Sequence, residues 1–188
     1  MEEGLLQVAS SGFNRPLTND FRDDVATHLR GGILQVALEN QKPIAFAMSQ
    51  YHDSIDTAYI AGVVKVPTAP RGIIQEMVGK FIEEYNPKIL VTRTQNDRVM
   101  DIMCNFCSTV VPLDRSVTPT EIKLLTNLNL LTPTTNVDLL IARGHYGSQM
   151  IFGCPRRRSY NSKVINFSNQ LNYEDGDAAL LIGYRKNI

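Results

Sequence analysis

The chain has 188 residues, 43% of them hydrophobic and 20% charged, with 19 basic and 19 acidic side chains in formal balance. A length typical of one domain, with that apolar share, allows a substantial core and excludes wholesale disorder. Zero net charge argues against attraction of the whole chain to nucleic acid or anionic lipid, leaving only local patches, and no run approaches the ~20 apolar residues of a membrane span.

From the N-terminus, MEEGLLQVASSG is acidic rather than charged-then-apolar, unlike an export signal. Within it, the short apolar run from Leu5 to Ser10 predicts a first strand. Thr18 or Asn19 then caps a helix whose Phe21, Val25 and Leu29 recur at i, i+4 and i+8, and Gly31-Gly32 ends it. Ile33–Glu39 and Ile44–Tyr51 predict a hairpin turning at residues 40–43, and Thr57–Val66 adds a third antiparallel strand. Pro67 and Pro70 forbid strand continuation and an early helix, so Val66–Arg71 is a loop.

After Gly72, the apolar residues Ile73, Ile74, Met77, Val78, Phe81, Ile82 and Tyr85 form one wide helical face, which Asn86-Pro87 ends. KILVTRT is a strand, and Asn96-Asp97 caps a helix buried through Val99, Ile102, Met103 and Phe106. Strand, crossover helix and strand in this order imply a parallel pair. Beyond Ser108, TVVPL reads as a strand and Thr118-Pro119-Thr120-Glu121 as a capping box opening a helix through Leu131. VDLLIAR is strand-like, residues 144–171 are irregular, and AALLIGYR closes the chain as an apolar strand.

Three groups of residues carry candidate chemistry. Cys104 and Cys107 have CxxC spacing on a predicted helix, but a zinc site needs about four ligands and a redox pair sits at a helix start. Core packing is the simpler reading, with no metal, and the odd total of three cysteines fits free thiols in a reducing, cytoplasmic setting. His145 and Tyr146, between Gly144 and Gly147, offer an imidazole and a phenol as catalytic base and acid, or simply a polar turn with a half-buried tyrosine. Arg156, Arg157 and Arg158 beside Tyr160 are either a solvated loop or a contact for phosphate, an acidic partner or RNA.

The stretch Thr57–Ser108, the overall element order and the closing strand AALLIGYR resemble the GCN5-related N-acetyltransferase (GNAT) superfamily. The resemblance implies an α/β (α+β) fold: a central mixed, mostly antiparallel sheet with helices on both faces and a C-terminal elaboration. It also implies one domain over residues 1–188, with 114–175 inserted before the closing strand. In that family the loop Q/R-x-x-G-x-G/A binds the acyl-CoA pyrophosphate. VKVPTAPRGII keeps Arg71 and Gly72 there, with Ile74 or Pro70 in place of the other glycine depending on register.

Asn96 resembles the family's asparagine after the next strand, whereas Met103 stands where its acid tyrosine would be. By resemblance, acetyl-CoA as cosubstrate runs along Val64 and Val66, meets Arg71, Gly72 and Ile73, and approaches Asn96. The reaction implied is direct acyl transfer to an amine of a small molecule or protein. The alternative is an inactive GNAT-like interaction module that uses the basic loop at residues 156–158.

Overall fold

The computed structural model describes residues 2–148 and 159–186. They divide into two compact units, residues 2–88 and, among the described residues, 89–148 with 159–186. The Arg156–Arg158 stretch and Cys154 lie outside the described residues. The architecture is mixed α/β, and the strand pairings within each unit are antiparallel.

The first unit opens with α1 (Glu2–Phe13) and α2 (Asn19–Leu29). Leu5–Ser10 is therefore helical, which corrects the expected first strand. The reason lies in the spacing. Leu5, Ala9 and Phe13 recur every four residues, and Leu6 and Val8 widen the stripe that the sheet buries. Thr18 caps α2, its hydroxyl accepting from the Phe21 amide at 3.3 Å.

The strands β1 (Ile33–Glu39), β2 (Lys42–His52) and β3 (Thr57–Lys65) form the expected meander. Asn40 and Gln41 turn the hairpin with φ of 49° and 64°, the two left-handed residues that a tight hairpin of this twist requires. Alternation then sorts the two faces. Leu34, Val36, Phe46, Met48 and Val64 pack beneath α1 and α2. Ala37, Ala45, Ala47 and Val63 pack beneath α3 (Ile73–Tyr85), the helix expected after Gly72.

Gly12 brings α1 down onto the end of β3. A Cβ there would lie 2.3 Å from Val64 Cγ2 and 2.8 Å from the Lys65 carbonyl oxygen.

The second unit is built around β8 (Ala178–Arg185). On one side β4 (Ile89–Thr94) pairs with it from Ile89↔Tyr184 to Thr94↔Ala179. On the other lie β5 (Cys107–Val111) and β7 (Ile141–Ala142), with β6 (Thr135–Asn136) beyond β7. The strand expected over Val137–Arg143 is thus shortened to two residues, because residues 137–140 turn. The helix α4 (Asp97–Phe106) ends where β5 begins, so Cys107 opens a strand rather than continuing the helix.

The capped helix α5 (Pro119–Asn127) is one turn shorter than expected, and α6 (Ser162–Ser168) lies in a stretch expected to be irregular. Asn161 caps α6 through the Lys163 amide, and Val164 and Phe167 bury one face. That polar cap followed by an i, i+3 apolar pair is the signal a seven-residue helix leaves in sequence.

Glu121 joins α5 to the sheet. It is 1% exposed, accepts from the Thr118 amide at 2.7 Å and from Tyr184 Oη at 2.8 Å, and pairs with the Arg115 guanidinium. Burial alone would raise its pKa, but bonds from Arg115, Thr118 and Tyr184 outweigh that and hold it at about 2, below the ordinary 4.5. A carboxyl depressed in the fold contributes stability that is complete above its ordinary value and lost as pH falls towards the folded one.

Two outcomes follow for stability. Gly12→Ala is expected to cost about 1–3 kcal/mol in urea denaturation, because one of the atoms it meets is backbone and cannot rotate away. Glu121→Gln is expected to cost about 2 kcal/mol at neutral pH. The parent's advantage over that variant should shrink as acid unfolding is followed from pH 5 downward; a pH-independent gap would contradict the charge argument.

Candidate functional site

In the first unit, β3 leads into a loop held by its own backbone. The Val66 amide donates to the Ile44 carbonyl at 2.9 Å, the Ala69 amide to the Val66 carbonyl at 3.0 Å, and Lys65 Nζ to the Ala69 carbonyl at 2.7 Å. The loop delivers Gly72 to the N-cap of α3 with φ of 84°, a left-handed conformation that favours glycine. No side chain caps the helix, and a Cβ at Gly72 would meet nothing within 4 Å. Arg71 beside it is exposed.

This amino end has an open approach, the positive pole of a 13-residue helix and an adjacent guanidinium. Ile73 is half-buried against the α3 face of the sheet. The side chains of Val64 and Val66 belong to the core beneath α1 and α2, with Val64 only 6% exposed. Val64 therefore offers a ligand its main chain and not its side chain.

Among the turn carboxylates of this unit, Asp56 is the most engaged. It forms an ion pair with Lys88 at 2.9 Å and accepts from Tyr51 Oη at 3.2 Å. The bond from Lys88, helped by Tyr51, holds its carboxyl below the usual range. A carboxylate so held is a poor proton acceptor.

In the second unit, Asn96 caps α4, its Oδ1 accepting from the Arg98 amide at 2.9 Å while its own amide donates to Thr94 Oγ1 at 2.9 Å. Met103 is fully buried, and Gly183 of β8 lies against it and Cys107. The position where an acid tyrosine was sought is core.

His145 and Tyr146 are brought together edge to face, ring centroids 4.7 Å apart, and both are half-buried. Their turn is held by the Tyr146 amide on the Gly176 carbonyl at 2.9 Å, the Gly147 amide on the Gly144 carbonyl at 3.0 Å, and the Gly144 amide on Asp177 Oδ1 at 3.0 Å. Sequence reading missed their partner, Arg93 on β4. Arg93 Nη1 lies 3.0 Å from His145 Nε2, and Tyr146 Oη donates to the Arg93 carbonyl at 3.4 Å. A guanidinium only donates, so Nε2 accepts and the neutral ring carries its proton on Nδ1. While that bond stands, Nε2 cannot take a proton from an amine. Only a 52-residue separation hid this pair from sequence reading.

The two cysteines are unsuited to thiolate chemistry. Burial pushes the Cys107 thiol up to about 12 and also raises that of Cys104. Among the described residues, no group of His, Cys, Asp and Glu side chains could hold a metal ion, and no helix is long and apolar enough to cross a membrane.

No family model matches the sequence, and no curated protein matches it either. Solved structures do resemble it. An aminoglycoside 6'-acetyltransferase type Ii is 12% identical, covering 59% of this chain and 79% of its own, with a TM-score of 0.45. The ribosomal-protein-S18-alanine N-acetyltransferase from Escherichia coli is 13% identical, covering 100% of this chain and 89% of its own, at 0.47. Ribosomal-protein-alanine N-acetyltransferase from Brucella melitensis is 9% identical, covering 97% and 93%, at 0.48. Likenesses of this size leave function to be argued from the chain's own residues.

Alkylation with iodoacetamide at pH 8, followed by peptide mapping, is expected to modify half-buried Cys104 about tenfold or more ahead of Cys107. Cys107 should react at a comparable rate only after denaturation; equal rates in the folded protein would contradict the buried-thiol reading.

Proposed function

We propose that the chain is a GNAT-like acyl-CoA-binding protein that transfers an acyl group, acetyl in the simplest case, to an amine. The observation that supports this reading best is the amino end of α3: a left-handed Gly72 with no side-chain cap, open space around it and exposed Arg71 alongside. Backbone N–H groups at a helix start, with the dipole behind them, suit a pyrophosphate. The missing second glycine matters less than the sequence implies, because Gly72 is the residue whose conformation requires one.

In this reading Arg71, Gly72 and Ile73 meet the phosphates and the main chain at Val64 and Val66 accompanies the pantetheine, while Asn96 serves α4 as its cap. Catalysis rests on positioning and on hydrogen bonds to the thioester oxygen. Met103 is buried and cannot donate a proton, and His145 Nε2 is occupied by Arg93.

A second reading is a retired enzyme that keeps the fold as an interaction module. Met103 in the core and Arg93 on His145 Nε2 favour it.

Calorimetric titration of the full chain with acetyl-CoA is expected to give micromolar binding that Gly72→Asp abolishes by setting a carboxylate against the phosphates. The open space around Gly72 lets that side chain fit, at a cost of about 1–2 kcal/mol for a non-glycine residue in the left-handed region. No binding by the parent overturns the proposal. Binding without CoA release from a pool of amines, followed by mass spectrometry, selects the second reading.

A further inference from the structure

Arg93 differs from three other described arginines of its unit, Arg98, Arg115 and Arg143. Arg115 and Arg143, both exposed, each hold a buried carboxylate, Glu121 and Asp177 respectively. Arg98 holds Asp101 at 3.2 Å. Arg93 is half-buried, yet its described partners are both uncharged: His145 Nε2 and the Leu130 carbonyl. Its Nε is buried without any hydrogen-bond partner.

Described acids of this unit have other partners. Asp177 takes Arg143 and the amides of Gly144 and Asn172, Asp175 takes Asn172 Nδ2, and Asp97 takes Tyr173 Oη and the Ser159 amide. A cation withdrawn from water without a counter-charge is costly, and an unpaired buried N–H adds to that cost. A ligand is one way in which the missing group can be supplied.

The surroundings suit a ligand. His145 meets the guanidinium at Nη1, and Tyr146, packed edge to face on His145, bonds the Arg93 main-chain carbonyl, so two aromatic rings adjoin the residue. Their turn is rigidly placed, because Gly176 packs so closely that a Cβ there would lie 2.6 Å from the Gly147 and Ser148 amide nitrogens. Gly144 and Gly147 are both exposed, so the turn borders solvent.

We infer that Arg93, flanked by His145 and Tyr146, is a binding site for a small oxyanion, a carboxylate or phosphate group carried by a ligand. The planar guanidinium supplies both the charge and the remaining N–H donors that such a group accepts. The site lies wholly in the second unit and does not depend on acyl-CoA binding at α3.

The chain has three histidines, so the ring of His145 can be followed by NMR once His28 and His52 are assigned by substitution. The full-length protein is titrated with sodium acetate and, separately, sodium phosphate, with sodium chloride at equal ionic strength as the reference. A saturable shift of the His145 and Tyr146 rings is expected with one oxyanion, and the tighter of the two assigns carboxylate or phosphate.

Arg93→Gln keeps two N–H donors for His145 and the Leu130 carbonyl but removes the charge, and should bind about tenfold more weakly or not at all. Equal shifts with chloride, no saturable shift, or undiminished binding in Arg93→Gln overturns the proposal. Should that variant fail to fold by circular dichroism, the parent decides: shifts centred on the two rings support the site, and shifts centred elsewhere overturn it.

Discussion

In the second unit, most of the structure depends on a strand that arrives at the end of the described chain. β8 is buried along Ala178–Gly183 and is the ladder to which β4, β5 and β7 all hydrogen-bond. Its residues read as a nearly continuous apolar run because both edges and both faces are covered. None of those pairings is local, so β4, β5 and β7 gain β8 as a partner only when residues 178–185 are in place. Gly183 then sets how closely α4 can lie, since a side chain there would collide with Cys107 Sγ and press on Met103. The same strand carries Tyr184 to Glu121, which ties α5 to the sheet.

The acid immediately before β8 extends that control to the surface. Asp177, 2% exposed, gathers Arg143 and the Gly144 and Asn172 amides, while Gly176 accepts from the Tyr146 amide. Its carboxyl is held below the usual range: burial alone would raise it, but those three groups prevail. The His145-Tyr146 turn is thus placed by the start of β8, and Arg93 by the strand beside it. Loop residues held to this degree by the core keep a fixed geometry, as recognition of an anion by a guanidinium requires.

The first unit has a different organising constraint: a local meander whose alternation divides two helix-covered faces. This part was legible wherever period and turn chemistry agreed, as in the Asn40-Gln41 hairpin, the Thr18 cap and the long apolar face of α3. It failed at Leu5–Ser10. A six-residue apolar run supports either a strand or a helix, and only the sheet beneath it decided for a helix by burying the stripe through Phe13. The two-residue β7 and the short α6 were blurred for the same reason, since each is stabilised by what it packs on and not by its own length.

The sequence by itself determined the meander, the capped helices α2 and α4, the long apolar face of α3, the apolar closing strand and the Arg71-Gly72 junction, because these rest on signals read within a few residues. Tertiary structure alone decided that Val64 faces the core, that Met103 and Cys107 are sealed against Gly183, and that Arg93 meets His145. Those facts depend on which strands become neighbours, and a guanidinium's missing counter-charge is visible only once everything around it is in place.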